Sequence, residues 1–273
     1  MTTTLSTRNP RTLDIDTASS ATSATSSPSA STALGPIPFS RLVLVEWAKA
    51  TDTRAARWLI ALVALSTLGL MLVPVIVPTS FDQTHASYLR GGALGVSTLL
   101  GVVAILMLTS EWSQRSIMTT FTQEPRRIRV LNAKLAVSMV LGVGGAIFGG
   151  VAAAAGIGLA AMSGRTLEAN MSAGAIASYL LYVVINVLAS VALGALLQNS
   201  AAAIAASFAL PASVALLGTA STLLDWIDMA TAWKWVLDND WAGHVPQISF
   251  SIAFWVAVPL AAGVVRTLRR DVG

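Results

Sequence analysis

Of the 273 residues, 55% are hydrophobic and only 11% charged, with a mean hydropathy of +0.71, whereas a soluble domain carries roughly 25% charge, so an ordinary water-exposed fold is excluded. The net charge of +4 comes from basic residues at the ends of apolar runs, where they serve as topology signals and headgroup contacts, which argues against nucleic acid as a partner. There is no cysteine, so disulfides, thiolate metal sites and cysteine nucleophiles are excluded as well.

Residues 1–36 are rich in Ser, Thr and Ala and have little to bury, so they read as a disordered, solvated cytoplasmic leader to a domain spanning 37–273. Residues 1–35 lack the apolar core of a cleavable signal peptide, and the first span is expected to act as an uncleaved anchor. Residues 37–57 mix Phe39, Leu42, Val43, Val45 and Trp47 with Arg41, Glu46, Lys49, Asp52 and Arg54. That mixture predicts an amphipathic helix in the membrane interface, opened by Pro38 with Ser40 as a capping residue.

The segments 58–78, 91–110, 135–164, 169–224 and 245–265 contain no Asp, Glu, Lys or Arg. A bilayer span needs about 20 apolar residues, so four of these hold one helix each and the segment 169–224 holds two. The expected fold is therefore an all-α membrane protein of six spans, at about 58–77, 91–110, 135–162, 173–196, 201–223 and 249–266. The third span is rich in Gly and Ala, which lets helices approach closely and predicts a place inside the bundle. The break Gln198-Asn199-Ser200 is short enough to make spans four and five antiparallel neighbours, with a kink expected near Pro211. The segment 225–248 carries Trp226, Trp233, Trp235 and Trp241, which suits an interfacial, partly re-entrant element at least as well as a plain external loop.

Arg90, Arg165 and Lys234 fall on one side of this topology and every other Lys and Arg on the opposite side. The positive-inside rule then places both termini in the cytoplasm of a multi-pass protein of the cell membrane.

Catalytic signatures are missing. There is no P-loop, no H-E-x-x-H and no G-x-S-x-G, and His85 and His244 fall in expected outside loops, so no metal site is assigned. The expected spans hold no Asp, Glu, His, Lys or Arg, unlike ion-coupled transporters, so energy for active transport would come from elsewhere. Tyr182, Asn186 and Ser190, spaced four apart, share one helical face. Such a stripe either faces a translocation path or bonds to neighbouring helices.

The charged segment after span two reads E-W-S-Q-R-S-I-M-T-T-F-T-Q-E-P-R-R-I-R-V-L-N-A-K. Residues 112–122 can form a short helix stopped by Pro125. Together with F-S-R-L-V-L-V-E-W-A-K-A-T-D-T-R-A-A-R-W near the start, the six spans and the basic tail, this segment resembles the membrane subunits of bacterial ABC-2-type exporters, particularly the compact actinobacterial permeases. The resemblance covers about residues 37–270. It implies a permease that is not itself an enzyme and that pairs with a second permease, identical or homologous. ATP and Mg would belong to a separate ATP-binding subunit, and membrane lipid surrounds the pair. Residues 37–54 would be an elbow helix, with Arg41, Glu46, Lys49 and Arg54 as its charged positions. Residues 111–129 would be the coupling helix, with Glu111, Arg115, Glu124, Arg126, Arg127 and Arg129 transmitting force. The alternative is a membrane structural or signalling protein that transports nothing.

Overall fold

The structure, a computed structural model, describes residues 37–113, 126–218 and 222–269. The expected leader 1–36, Arg115, Glu124 and most of the predicted helix 112–122 lie outside the described residues. Among the described residues there is no strand, only a single β-bridge between Thr84 and Glu168.

Helix α1, Phe39–Thr51, runs to the break at Asp52. Pro38 occupies its N-cap without a side-chain hydrogen bond, so the expected Ser40 cap does not form. Thr53 starts the next helix, accepting the Ala56 amide at 3.1 Å. The helices that follow are α2 Arg54–Ile76, α3 His85–Ser113, α4 Arg127–Met162, α5 Ala173–Leu197 and α6 Ser200–Gly218. Two short helices, α7 Thr222–Ile227 and α8 Met229–Leu237, precede α9, Val245–Arg269, which contains a π turn at Ala253–Ala257. Six of these helices, α2 to α6 and α9, are long and apolar enough to cross a bilayer, as expected of a multi-pass membrane protein.

The helices outrun the charge-free windows. α3 begins at His85 rather than near 91 and ends beyond Glu111, and α4 begins at Arg127 rather than near 135. Glu111 and Lys134 thus lie on spanning helices, near their ends, and not in a loop. A helix continues wherever its backbone hydrogen bonds continue, and a terminal charge does not stop it when a partner is present. The polar, tryptophan-rich segment is helical rather than an open loop: α8 packs on α5, and Trp233 is buried in a second core with Ile185, Val236, Ile248 and Trp255.

α3 is the hub, packed against α2, α4 and α5. Two-thirds of its most apolar window, 67%, is buried, against 11% for α6, which leaves most of α6 turned outward. The main core joins Val63, Tyr88, Val96, Leu100, Val183 and Val187 from α2, α3 and α5 with small residues of α4.

Close approach at glycine builds this hub, as the composition of the third span led us to expect. A Cβ on Gly92 would lie 2.5 Å from the Gly149 carbonyl oxygen of α4, and one on Gly95 would lie 2.4 Å from the Thr67 Cα of α2. The neighbour in each case is backbone, which cannot swing away. Gly144 and Gly158 on α4 meet nothing within 4 Å, so only some of the small residues serve packing.

Both termini of the described chain lie at one end of the bundle, with α1, the end of α3, the start of α4 and the end of α9. Arg127 donates to the Thr267 carbonyl at 3.1 Å and Gln198 to the Thr267 hydroxyl at 3.0 Å. The far end holds the Thr84–Glu168 bridge, an Arg90–Asp238 ion pair at 2.8 Å and a Trp241 indole donating to Ser178 at 2.9 Å.

Gly95→Ala and Gly92→Ala are each expected to cost about 1–3 kcal/mol through overpacking. Gly144→Ala, in open space on a helix, should be neutral or stabilise by about 0.5–1 kcal/mol. Thermal unfolding of the purified variants in a fixed detergent separates the two classes.

Candidate functional site

The structure draws the conspicuous polar residues into two places: a charge cluster at the α1 end and a recess within the bundle.

The cluster is built from helix spacing. Glu46 and Lys49 stand three apart on α1, so both side chains reach the same neighbours. Glu46 accepts from Lys49 through Oε1 at 2.7 Å and from Lys134 of α4 through Oε2 at 2.6 Å. Lys49 also donates to Glu111 Oε1 of α3 at 2.6 Å, and Lys134 stands 3.4 Å from Glu111 Oε2. Two ammonium groups and two carboxylates thereby close a neutral ring across three helices. Glu46, Glu111 and Lys134 are only 4%, 7% and 3% exposed. Burial at that level is tolerable only because each charge faces an opposite one. Lys49 sits at the rim, partly exposed: burial lowers its pKa, but the hydrogen bonds it donates to Glu111 and Glu46, with the charges of those carboxylates, outweigh that and hold it above the ordinary lysine value.

Several expected site residues take different positions from those the sequence suggested. Glu111 is buried and paired within this chain, so any force it carries passes through α1 and α4. Arg54, grouped by sequence with Arg41, Glu46 and Lys49, belongs to the first turn of α2 and not to α1. Arg41 is exposed on α1, and Arg126 is exposed at the N-cap of α4. Arg129 donates to the Ile37 carbonyl at 2.6 Å and so fastens the lead-in to α1. Lys134, which the sequence groups with Arg126, Arg127 and Arg129 as basic residues facing headgroups or a partner, is instead the most buried member of the cluster.

The recess has a volume of about 240 Å³ between α3, α5 and α6, closed at one side by Met229 of α8 and Trp255 of α9. Tyr182, Asn186 and Ser190 line it together, so the stripe read from their spacing faces one space. Ser97 and Thr98 of α3 and Ser207 of α6 complete the polar wall, and Val102, Leu193, Phe208 and Pro211 the apolar one. Ser207 and Trp255 had no signal in the sequence, because they reach the recess from helices distant in the chain. The wall between α3 and α5 is tight: a Cβ on Gly101 would come within 2.3 Å of the Ser190 hydroxyl. No ionisable side chain other than the Tyr182 phenol lines the recess. Among the described residues no group of three or more His, Cys, Asp or Glu is placed to hold a metal ion.

Comparison with family models and with curated proteins finds no match to this chain.

Lys134→Met is expected to destabilise the protein by about 3–5 kcal/mol, because Glu46 and Glu111 would then share one ammonium. The double variant Lys134→Met/Glu46→Leu should cost clearly less than the two single changes added, which a double-mutant cycle in denaturant reads directly. The pH dependence of α1 docking follows from the raised Lys49 pKa. A raised lysine contributes stability that is complete below the unfolded value of 10.5 and is lost as pH rises through the folded value. Protection factors of α1 amides, corrected for the intrinsic rise of exchange with pH, should therefore show no Lys49-linked loss between pH 7 and 10 and fall only above that range.

Proposed function

We propose that the chain is the permease subunit of an ATP-driven exporter of the ABC-2 type. In this reading both termini face the cytoplasm, a separate ATP-binding subunit supplies ATP hydrolysis, and a second permease, identical or homologous, completes the path through the cell membrane. The observation that carries it is the charge cluster. It ties an interfacial helix rigidly to the two spanning helices that flank residues 114–125, the segment in which a partner would seat.

The mechanism follows from that linkage. A partner that draws the segment between α3 and α4 sideways moves both helix ends, because Glu111 and Lys134 are held in one ring. α1 follows through Glu46 and Lys49 and keeps the two ends in register. The other end of the lever is the α3 wall of the recess, which carries Ser97, Thr98 and Gly101. Displacing α3 against the loosely packed α6 widens or narrows the recess and exposes it to alternate sides of the membrane. No residue of the chain needs to do bond chemistry in this cycle. The resemblance to ABC-2 permeases, the six spans and the basic residues gathered at the α1 end support the same reading.

Affinity purification of the solubilised chain from its native membrane is expected to recover a P-loop ATPase in near-equal amount, identified by mass spectrometry. Purification of the chain alone, from cells expressing every neighbour, would overturn the exporter reading in favour of a structural or signalling protein. In the recovered complex, Arg126→Glu should retain ATP hydrolysis but lower transport by about tenfold, the size of an ordinary coupling energy.

A further inference from the structure

Inside a helix, a serine or threonine hydroxyl satisfies its proton by donating to the carbonyl one turn back. The walls of the recess do this throughout. Ser97 donates to the Ala93 carbonyl at 2.6 Å, Thr98 to Leu94 at 2.6 Å, Ser190 to Asn186 at 3.0 Å and Ser207 to Ile204 at 2.8 Å. Asn186 commits an amide N–H to the Tyr182 carbonyl at 2.9 Å, and the Trp255 indole donates to the Ile227 carbonyl at 2.7 Å. Six polar protons on the wall are therefore already used, which leaves the Tyr182 O–H and the second Asn186 N–H as donors.

What otherwise remains are lone pairs. A hydroxyl that donates once still accepts, and the Asn186 amide oxygen accepts as well. The recess thus offers many acceptors, only two free donors, and no fixed charge, beside an apolar wall of Val102, Leu193, Phe208, Pro211 and Trp255. An anion brought here would lose its hydration and find two donors at most and no counter-charge. A cation would find dipoles and the Tyr182, Phe208 and Trp255 rings, but no carboxylate to offset the loss of its hydration. A ligand with only acceptors, such as an ether or ester, would meet lone pairs mostly with lone pairs.

We propose that the recess binds uncharged amphiphiles that carry several hydroxyl or N–H donors on one face and an apolar group on the other. This proposal names the substrate class of the path described above and rests on that path being the one used. The volume of about 240 Å³ suits a ligand the size of a small glycoside.

The test uses the intact chain in lipid nanodiscs and three probes with one scaffold: phenyl β-glucopyranoside, its tetra-O-methyl ether and phenyl β-glucuronide. Equilibrium dialysis with radiolabelled probe reads saturable binding. The glucoside is expected to bind about tenfold or more tighter than the ether and the glucuronide, in line with the discrimination that unmatched polar groups impose. Thr98→Val and Asn186→Leu, which remove acceptors at near-constant volume, should together weaken the glucoside by about tenfold and leave the ether unchanged. Retained elution volume and unfolding temperature show that those variants remain folded. Binding of the ether or the glucuronide within twofold of the glucoside would overturn the proposal, as would no saturable binding of the glucoside. Because binding is read on the chain without a partner, loss of the ATP-driven reading would leave this result intact, and the reverse also holds.

Discussion

Four charges held at the edge of an apolar bundle constrain the rest of this molecule. Glu46, Lys49, Glu111 and Lys134 come from three helices, and none of the three buried members has water enough to stand alone. Removing any helix from the ring strands charge in a poor solvent, at several kcal/mol for a broken buried pair. The ring therefore works less as a source of net stability than as a lock on geometry. α1 cannot slide along α4 without separating Lys134 from Glu46, and the ends of α3 and α4 cannot part without separating Glu111 from Lys134 and breaking one of the bonds that α1 makes to them.

The interior has a complementary design. α3 packs backbone to backbone where Gly95 meets α2 and Gly92 meets α4, which makes it a rigid member. On its other side the contact with α6 is sparse, and the recess opens there. A rigid hub beside a loosely held helix gives a bundle one soft direction. In the proposed cycle, motion imposed at the charged end would be channelled toward the recess, since the glycine contacts resist displacement toward α2 and α4.

Much of this was legible in the sequence, and the part that was not has a physical cause. The spans were legible because a bilayer demands an unbroken apolar length, which a one-dimensional reading detects directly. Their ends were not: Glu111 and Lys134 look like ordinary boundary charges until Glu46, 88 positions from Lys134, is brought to them by folding. The Tyr182, Asn186 and Ser190 stripe was legible because helical spacing is local. Its partners Ser207 and Trp255 were not, because which helix faces which is set by packing at Gly92, Gly95 and Gly101, and small residues elsewhere on α4, such as Gly144, carry the same sequence signal without the contact. Arg54 was assigned to the elbow helix because nothing in its charge distinguishes the last turn of α1 from the first turn of α2. The Thr53 cap draws that line.

The chain has no cysteine, so spin labels can be placed pairwise without a background. The most direct test is pulsed electron paramagnetic resonance on two label pairs in native membranes, with ATP and Mg supplied or withheld. One pair, at Val45 and Ile128, spans α1 and α4 at exposed positions; the other, at Leu94 and Phe208, joins α3 to α6 near the recess, again at exposed positions. The account predicts an unchanged α1–α4 distance together with a shifted α3–α6 distribution when ATP is supplied. An α1–α4 distance that changes while the recess pair stays fixed would contradict it.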